Sequence, residues 1–172
     1  MALISLRYFA YGSNMNTRWF RNRIPSARLI GKAVLSGHRL MWHKHSFRDG
    51  SAKCDIVETG RASDEVYGVL YEIDRTEKPI LDRIEERGKG YKQKKIEVKL
   101  EGGDERSAFT YYAIAKNKRL KPYGWYKNLV LAGAREHNLP KFYLESIEQV
   151  SHWNDSDRER QEHARDIMGD EP

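Results

Sequence analysis

Tyr8-Phe9-Ala10-Tyr11-Gly12-Ser13-Asn14-Met15 reads as a short strand that ends in a tight turn and hands over to a helix. Gly12 lets a backbone approach a ligand closely and tolerates positive φ. Ser13 and Asn14 are suited to binding neighbouring amides or capping the following helix. A strand–turn–helix start leaves backbone N–H groups pointing outward, which favours an anion. The run therefore predicts both the first element of a sheet and a candidate binding loop.

Outward from that run, Asn16 to Ile24 reads as a short helix, with Trp19, Phe20 and Ile24 inward. Two apolar stretches between Ala27 and His43, broken at Ser36-Gly37, predict two strands. Asp49-Gly50 is a hairpin signal ahead of a strand containing Cys54. Val66 to Ile73, the alternation of Ile96, Val98 and Leu100, and Phe109 to Ala115 complete six or seven short strands. Among the helices, one is capped by Thr76, carries Pro79 in its first turn and buries Ile80, Leu81 and Ile84. A second runs through Tyr126, Leu129, Val130, Gly133, Ala134 and His137, and Pro140 opens a third. Many short strands with segregated helices predict an α+β fold: a small, mostly closed mixed β-barrel with helices packed outside.

The chain has 172 residues, 33% of them charged, a net charge of +6 and a single cysteine. No apolar run approaches the roughly 20 residues a membrane helix needs. Met1 to Arg7 lacks the basic start and apolar stretch of a secretory signal. These features predict a cytoplasmic protein with no membrane association. One cysteine excludes an intrachain disulfide or a cysteine-rich zinc site, and Cys54 reads as strand packing. The acidic stretch 151–172 carries −4, which leaves +10 on residues 1–150. The basic residues are scattered and lack a nucleic-acid motif, so a solvated basic surface is expected and no nucleic acid. We expect one domain over 1–150 and an acidic helical tail over 151–172, capped by Asp155, nearly without an apolar stripe and either marginal or docked at one end only.

A second informative stretch is Leu81-Asp82-Arg83-Ile84-Glu85-Glu86-Arg87-Gly88-Lys89-Gly90-Tyr91. Glu85 falls at the edge of the buried helix face and near the helix end. The partial negative charge of a helix C-terminus and partial burial both disfavour an ionised carboxylate there. Such a group suits proton transfer near neutral pH. A surface carboxylate in a charged helix end is the alternative reading of the segment taken alone.

Taken together, Tyr11-Gly12-Ser13, Leu81-Asp82-Arg83-Ile84-Glu85, Tyr91, and the late helix Tyr126 to Ala134 followed by Leu139-Pro140 resemble the gamma-glutamylcyclotransferase family. The matches run in order from Tyr8 to about Pro140. The family usually has a glycine directly after the catalytic glutamate, whereas this chain has Glu86. Spacing from Leu81-Asp82 favours Glu85 as the equivalent, and Glu86 is the alternative.

The resemblance implies release of 5-oxoproline and a free amino acid or amine from a small gamma-glutamyl compound. It implies Glu85 as the general acid and base, with Tyr11, Gly12, Ser13 and Asn14 as the substrate loop. Tyr91 and Tyr126 are expected to supply hydroxyl groups or a wall. No metal and no cofactor are called for. A gamma-glutamylamine-specific version, with the leaving end shaped by Trp42 to Asp49 and Lys116 to Trp125, is one alternative. A small-ligand binding domain without catalysis is another. His43-x-His45 could hold a metal on one strand face, but strand packing is the expectation, and His137 reads as a capping residue. The oligomeric state is not written in these features.

Overall fold

The computed structural model describes residues 4–169. Seven strands and five α-helices follow one another as β1 (Ser5–Ala10), α1 (Thr17–Arg23), β2 (Arg28–Ser36), β3 (His38–His45), β4 (Ala52–Glu58), β5 (Glu65–Asp74), α2 (Lys78–Ile84), β6 (Tyr91–Leu100), β7 (Glu105–Ala113), α3 (Gly124–Glu136), α4 (Lys141–Glu148) and α5 (Arg158–Met168). Five strands close a mixed barrel in the order β1-β5-β2-β6-β7, and β3 and β4 form a separate two-stranded sheet. The α+β barrel expected from the many short strands is the fold observed. Among the described residues, no helix is long and apolar enough to cross a membrane.

Barrel closure is uneven. β1 runs antiparallel to β5 over six residue pairs from Ser5↔Asp74 to Ala10↔Val69. Its parallel contact with β7 is the single pair Tyr8↔Phe109. Thr110 supports that seam by donating its hydroxyl to the Phe9 carbonyl at 2.8 Å. Tyr8 lies 5.3 Å from Phe20 and 5.3 Å from Phe109, ring centre to ring centre, so aromatic packing carries the closure where the ladder is short.

The β3–β4 hairpin is bound to the chain beyond β7. His45 N–H donates to Ala115 O at 2.9 Å and Ala52 N–H to Lys121 O at 3.0 Å. Buried Asp55 pins β4 to the end of β7 by accepting the Ala113 N–H at 2.7 Å. The Asp49-Gly50 turn lies where expected, with Gly50 at φ 71°. The β2–β3 break falls at Gly37.

Three local expectations are corrected. Thr76 does not cap α2: the Asp74 carboxylate accepts the Thr76 N–H at 2.8 Å and caps a 3-10 turn, Arg75–Glu77, that runs into the helix. Ile80 is 41% exposed, so α2 anchors chiefly through fully buried Leu81. Asp157 rather than Asp155 caps α5. Asp155 is instead a buried hub that accepts from Trp125 Nε1 at 2.8 Å and twice from Arg160 at 2.8 Å.

The tail helix is held at more than one end. Besides the Asp155 hub, Trp19 of α1 meets His163 edge-on at 6.0 Å. Arg18 Nη1 donates to Met168 O at 3.4 Å. Polar contacts to α1 and α3 substitute for the missing apolar stripe, a compensation that a periodicity reading does not register.

Candidate active site

The site begins where β1 stops. After Ala10 the chain passes through Tyr11 and Gly12 into a 3-10 turn, Ser13–Met15, and then into α1. Asn16, not Ser13 or Asn14, caps α1 by accepting the Trp19 N–H at 2.9 Å. The turn is clamped from outside by α3. A Cβ on Gly133 would stand 2.5 Å from Asn16 N and 2.8 Å from Met15 C, so only a glycine lets α3 lie this close.

Gly12 serves close approach as well, but not through positive φ. Its φ is −116°. A Cβ there would sit 3.2 Å from both Cys54 Cβ and Tyr126 Oη, so the missing side chain leaves room for β4 and α3 to meet the loop. Among the described residues, the Gly12 and Ser13 N–H groups donate to no protein acceptor.

From the opposite side comes the end of α2. Glu85 is its C-cap, with its N–H bonded to Leu81 O at 2.9 Å. Asp82 fixes the helix: it accepts from Tyr111 Oη at 2.7 Å and from Arg87 at 2.9 Å, and pairs with Lys78. Burial alone would raise the Asp82 pKa, but those donors outweigh it and hold the group below its ordinary value.

The loop and the helix end meet. Tyr11, Gly12, Ser13, Asn14, Glu85, Tyr91 and Tyr126 all line one narrow cleft of about 30 Å³, together with Tyr8, Cys54 and Tyr111. Asn14, 5% exposed, donates from Nδ2 to Glu85 Oε1 at 2.9 Å and to Tyr8 Oη at 3.1 Å. Its Oδ1 accepts from Arg23. Asn14 is thus engaged with the protein rather than open to a ligand.

Three tyrosine hydroxyls likewise build the wall. Tyr91 Oη donates to Cys54 O at 2.6 Å, and Tyr126 Oη accepts the Cys54 N–H at 3.1 Å, so the two grip one residue of β4 from both sides. Tyr11 Oη donates to Tyr111 O at 2.5 Å. Burial raises the pKa of each of these tyrosines. Burial also pushes the Cys54 thiol up to about 12, which leaves it a packing group without nucleophilic character.

Burial raises the Glu85 pKa, and Arg23, Lys44, the Asn14 hydrogen bond and Arg48 oppose that rise only in part. A carboxyl group in this balance takes up and returns a proton more readily near neutral pH than an exposed one. Glu86 stands apart. Its carboxylate pairs with buried Lys44 at 3.0 Å and approaches Arg48 at 3.9 Å. Its backbone has φ 50°, a left-handed conformation that glycine adopts without strain. The glycine expected after the glutamate therefore has a physical counterpart: the turn needs that conformation, and here Glu86 adopts it.

A second cavity of about 400 Å³ opens from the cleft and shares Ser13, Glu85, Tyr91 and Tyr126 with it. Lys44, Ser46, Arg48 and Asp49 supply one side and Trp125 another, within the stretches expected to shape that end. Arg160 and His163 of α5 close it, and α1 gives Trp19 and Arg23. Sequence reasoning missed Tyr8, Tyr111 and Arg23 as site residues. Tyr8 was visible inside the opening run. Nothing in the strand pattern of β7 marks Tyr111, and Arg23 reads as one more basic residue at a helix end.

The histidines lie elsewhere. His43 Nε2 meets Asp55 Oδ2 at 2.7 Å, a carboxylate that strand pairing supplies and spacing did not reveal, while His45 packs on Phe47 at 4.8 Å. Among the described residues, no group of three or more His, Cys, Asp or Glu side chains is placed to hold a metal. His137 ends α3 with Nε2 2.8 Å from Met15 O, a capping role.

Residues 65–147 match the model of the AIG2-like family. The chain is 30% identical to a gamma-glutamylcyclotransferase of Mus musculus over 148 residues, covering 83% of this chain and 77% of that one. It is 28% identical to the Homo sapiens gamma-glutamylcyclotransferase over 167 residues, covering 95% and 88%. A solved gamma-glutamyl cyclotransferase superposes with a TM-score of 0.85 at 26% identity, covering 96% of this chain and 98% of that one.

Proposed function

The chain belongs to the gamma-glutamylcyclotransferase family and is an enzyme of that kind; from that premise we propose that Glu85 is the acid–base group of an intramolecular cyclotransfer. The substrate is a small gamma-glutamyl compound whose own α-amine attacks its γ-carbonyl carbon. A C–N bond closes the five-membered ring of 5-oxoproline, and the C–N bond to the leaving amine breaks. The proton lost by the attacking amine passes to Glu85 and then to the departing nitrogen. No water and no enzyme nucleophile enter the balance.

The observation that carries this reading is the shared cleft: the Glu85 carboxyl group and the Gly12–Ser13 backbone line the same cavity although the residues are more than seventy positions apart. Glu85 is buried enough for a raised pKa. Gly12 and Ser13 carry N–H groups with no protein acceptor among the described residues, suited to a substrate carboxylate or the developing oxyanion. The tyrosine wall restricts the glutamyl unit to bent conformers, which is the positioning that ring closure requires. Glu86 fits the role less well, because Lys44 and Arg48 occupy its carboxylate. The leaving amine, whether an amino acid or a simple amine, extends into the outer chamber.

The test is incubation of pure protein with a panel of gamma-glutamyl amino acids and gamma-glutamyl amines, followed by detection of 5-oxoproline. Product from at least one substrate, abolished by Glu85→Gln and retained by Glu86→Gln, is expected. Full activity in Glu85→Gln sinks the assignment.

A further inference from the structure

The outer chamber presents five basic side chains other than histidine, and Arg23 differs from the rest in its partners. Lys44 pairs with Glu86, Lys53 with Asp49, and Arg160 with Asp155 and Asp157. Arg48 donates to the carbonyls of Arg83 and Ile84 and reaches Glu86 at 3.9 Å. Among the described residues, Arg23 has no carboxylate within ion-pair distance. It lies over the Trp19 ring at 4.9 Å, and its Nε–H is buried without an acceptor. Its hydrogen bond is to Asn14 Oδ1. Burial lowers the Arg23 pKa, so the guanidinium sits there at a cost that a purely structural surface arginine avoids.

The geometry of Asn14 explains what that contact does. A guanidinium has donors and no acceptor, so it selects the amide oxygen. The amide NH2 then faces Glu85 Oε1 at 2.9 Å and Tyr8 Oη at 3.1 Å. An ionised carboxylate only accepts hydrogen bonds, so this orientation favours ionised Glu85. A flipped amide would set Oδ1 against Oε1 and require a proton between them. Glu85 Oε2 has no protein hydrogen bond among the described residues, which leaves it for a substrate amine.

We infer that Arg23 is a positioning residue for Glu85: it locks the Asn14 amide so that the NH2 group grips one carboxylate oxygen and the other is presented to the substrate. The inference rests on Glu85 being the acid–base group. Other groups face Glu85 from every side: Tyr8 from β1, Tyr11 from the loop after it, Tyr91 from β6, Tyr111 from β7, Tyr126 from α3, Lys44 from β3, and Arg48 from the loop after β3. The tyrosines are neutral at working pH, because burial raises all five. The other acidic or titratable groups that line the chamber with Glu85 are Glu86, held by Lys44, Asp49, held by Lys53, and His163 of α5.

Arg23→Met removes both the lock and a positive charge, and both changes favour protonated Glu85. The acid limb of kcat/KM should move to higher pH. On the acid side of that limb we expect kcat/KM to fall by about ten-fold, and the difference should close on the plateau at higher pH, with KM little changed. Arg23→Lys keeps the charge and one donor and should lose less. In an Asn14→Ala background the effect of Arg23→Met should shrink. A readout independent of turnover is the ¹³C carboxyl resonance of Glu85, assigned by its loss in Glu85→Gln. Its titration midpoint should rise in Arg23→Met. An unchanged midpoint and an unchanged acid limb overturn the inference, as does a loss confined to KM, which would mean that Arg23 binds substrate directly. If the wild-type protein makes no 5-oxoproline, the parent reading fails, and the resonance titration still decides whether Arg23 controls Glu85.

Discussion

Five tyrosines wall the inner cleft, whereas five lysines and arginines ring the outer chamber. The two spaces are continuous, yet they treat charge in opposite ways. In the cleft, hydroxyl groups turn away into the wall: Tyr91 and Tyr126 clasp Cys54, and Tyr11 and Tyr111 are tied to Tyr111 O and Asp82. Packed among those rings, the Glu85 carboxyl group is cut off from water, and that burial disfavours its ionised form. In the chamber, four of the five cations already reach a carboxylate. Neighbours in sequence therefore diverge: Glu85 belongs to the first environment and Glu86 to the second.

The largest expected effect tests that divergence directly. Glu85→Gln should lower kcat/KM by about 10² to 10⁴, the usual worth of a positioned acid–base group. Glu86→Gln should cost less than about ten-fold, since it removes a partner of Lys44 rather than the proton carrier. Steady-state kinetics on both variants, with thermal melts to confirm folding, decide the matter. The pH profile follows with a definite sign. Ionised Glu85 is needed to take the amine's proton and its pKa is raised. The acid limb of kcat/KM should therefore lie above the ordinary carboxylate range, and activity should fall as pH drops through it. Comparable losses in the two variants would erase the contrast between the two environments.

How much of this was visible in the chain alone depends on distance along it. The turn at Gly12–Asn14 and the helix end at Glu85 are local events, written in consecutive residues with recognisable turn and helix signals. Their meeting is visible only through family resemblance, because barrel closure through β1, β5 and β7 decides it. Arg23 and Tyr111 escaped notice for the same reason: each acts on a residue at least nine positions away, Arg23 on Asn14 and Tyr111 on Asp82. The Asp55–His43 pair was hidden because a β-bulge between Trp42 and Lys44 shifts the register that spacing assumes. The tail helix was underrated because its anchors are ion pairs and a buried aspartate, which a hydrophobic pattern does not record.

That tail offers the next test, one that breaks the chamber without touching the cleft. The donors Arg160, Asp157 N–H and Trp125 hold the Asp155 carboxyl group down at about 2. A carboxylate depressed in the folded state adds stability that is present above its unfolded value near 3.9 and is lost as pH falls through the folded one; here the gain is about 2 kcal/mol. Asp155→Ala should lose this contribution at pH 7, and its stability should converge with that of the wild type between about pH 4 and pH 2 in urea titrations. Parallel pH curves would mean that the hub is not what fastens α5.

Tyr91→Phe probes the cleft wall. It keeps the ring and removes the donor to Cys54 O, leaving a buried carbonyl unpaired. A loss of about 1 to 2 kcal/mol in unfolding free energy is expected, with a smaller change in kcat than in stability. A kcat loss as large as that of Glu85→Gln would show that the hydroxyl acts on substrate instead of bracing β4.

The smallest net effect belongs to the chamber side of the Glu85-Glu86 step. Glu86 holds φ 50°, which costs an L-residue about 1 kcal/mol that glycine avoids. Yet Glu86→Gly should not stabilise the protein, because it strips Lys44, 4% exposed in its side chain, of its carboxylate. Lys44→Met alone should also destabilise, since Glu86 is left with the distant Arg48 contact at 3.9 Å. Combined, the two changes remove a buried ion pair and a strained residue together, and the double variant should return to within about 0.5 kcal/mol of wild type. Denaturant titration of the four members of this cycle measures the coupling. Additive losses would show that Lys44 and Glu86 do not stabilise one another, and the left-handed turn after Glu85 would then have to be held by its backbone bonds, which include Arg87 N–H to Asp82 O at 2.9 Å, Gly88 N–H to Tyr91 O at 2.7 Å and Gly90 N–H to Glu86 O at 2.9 Å.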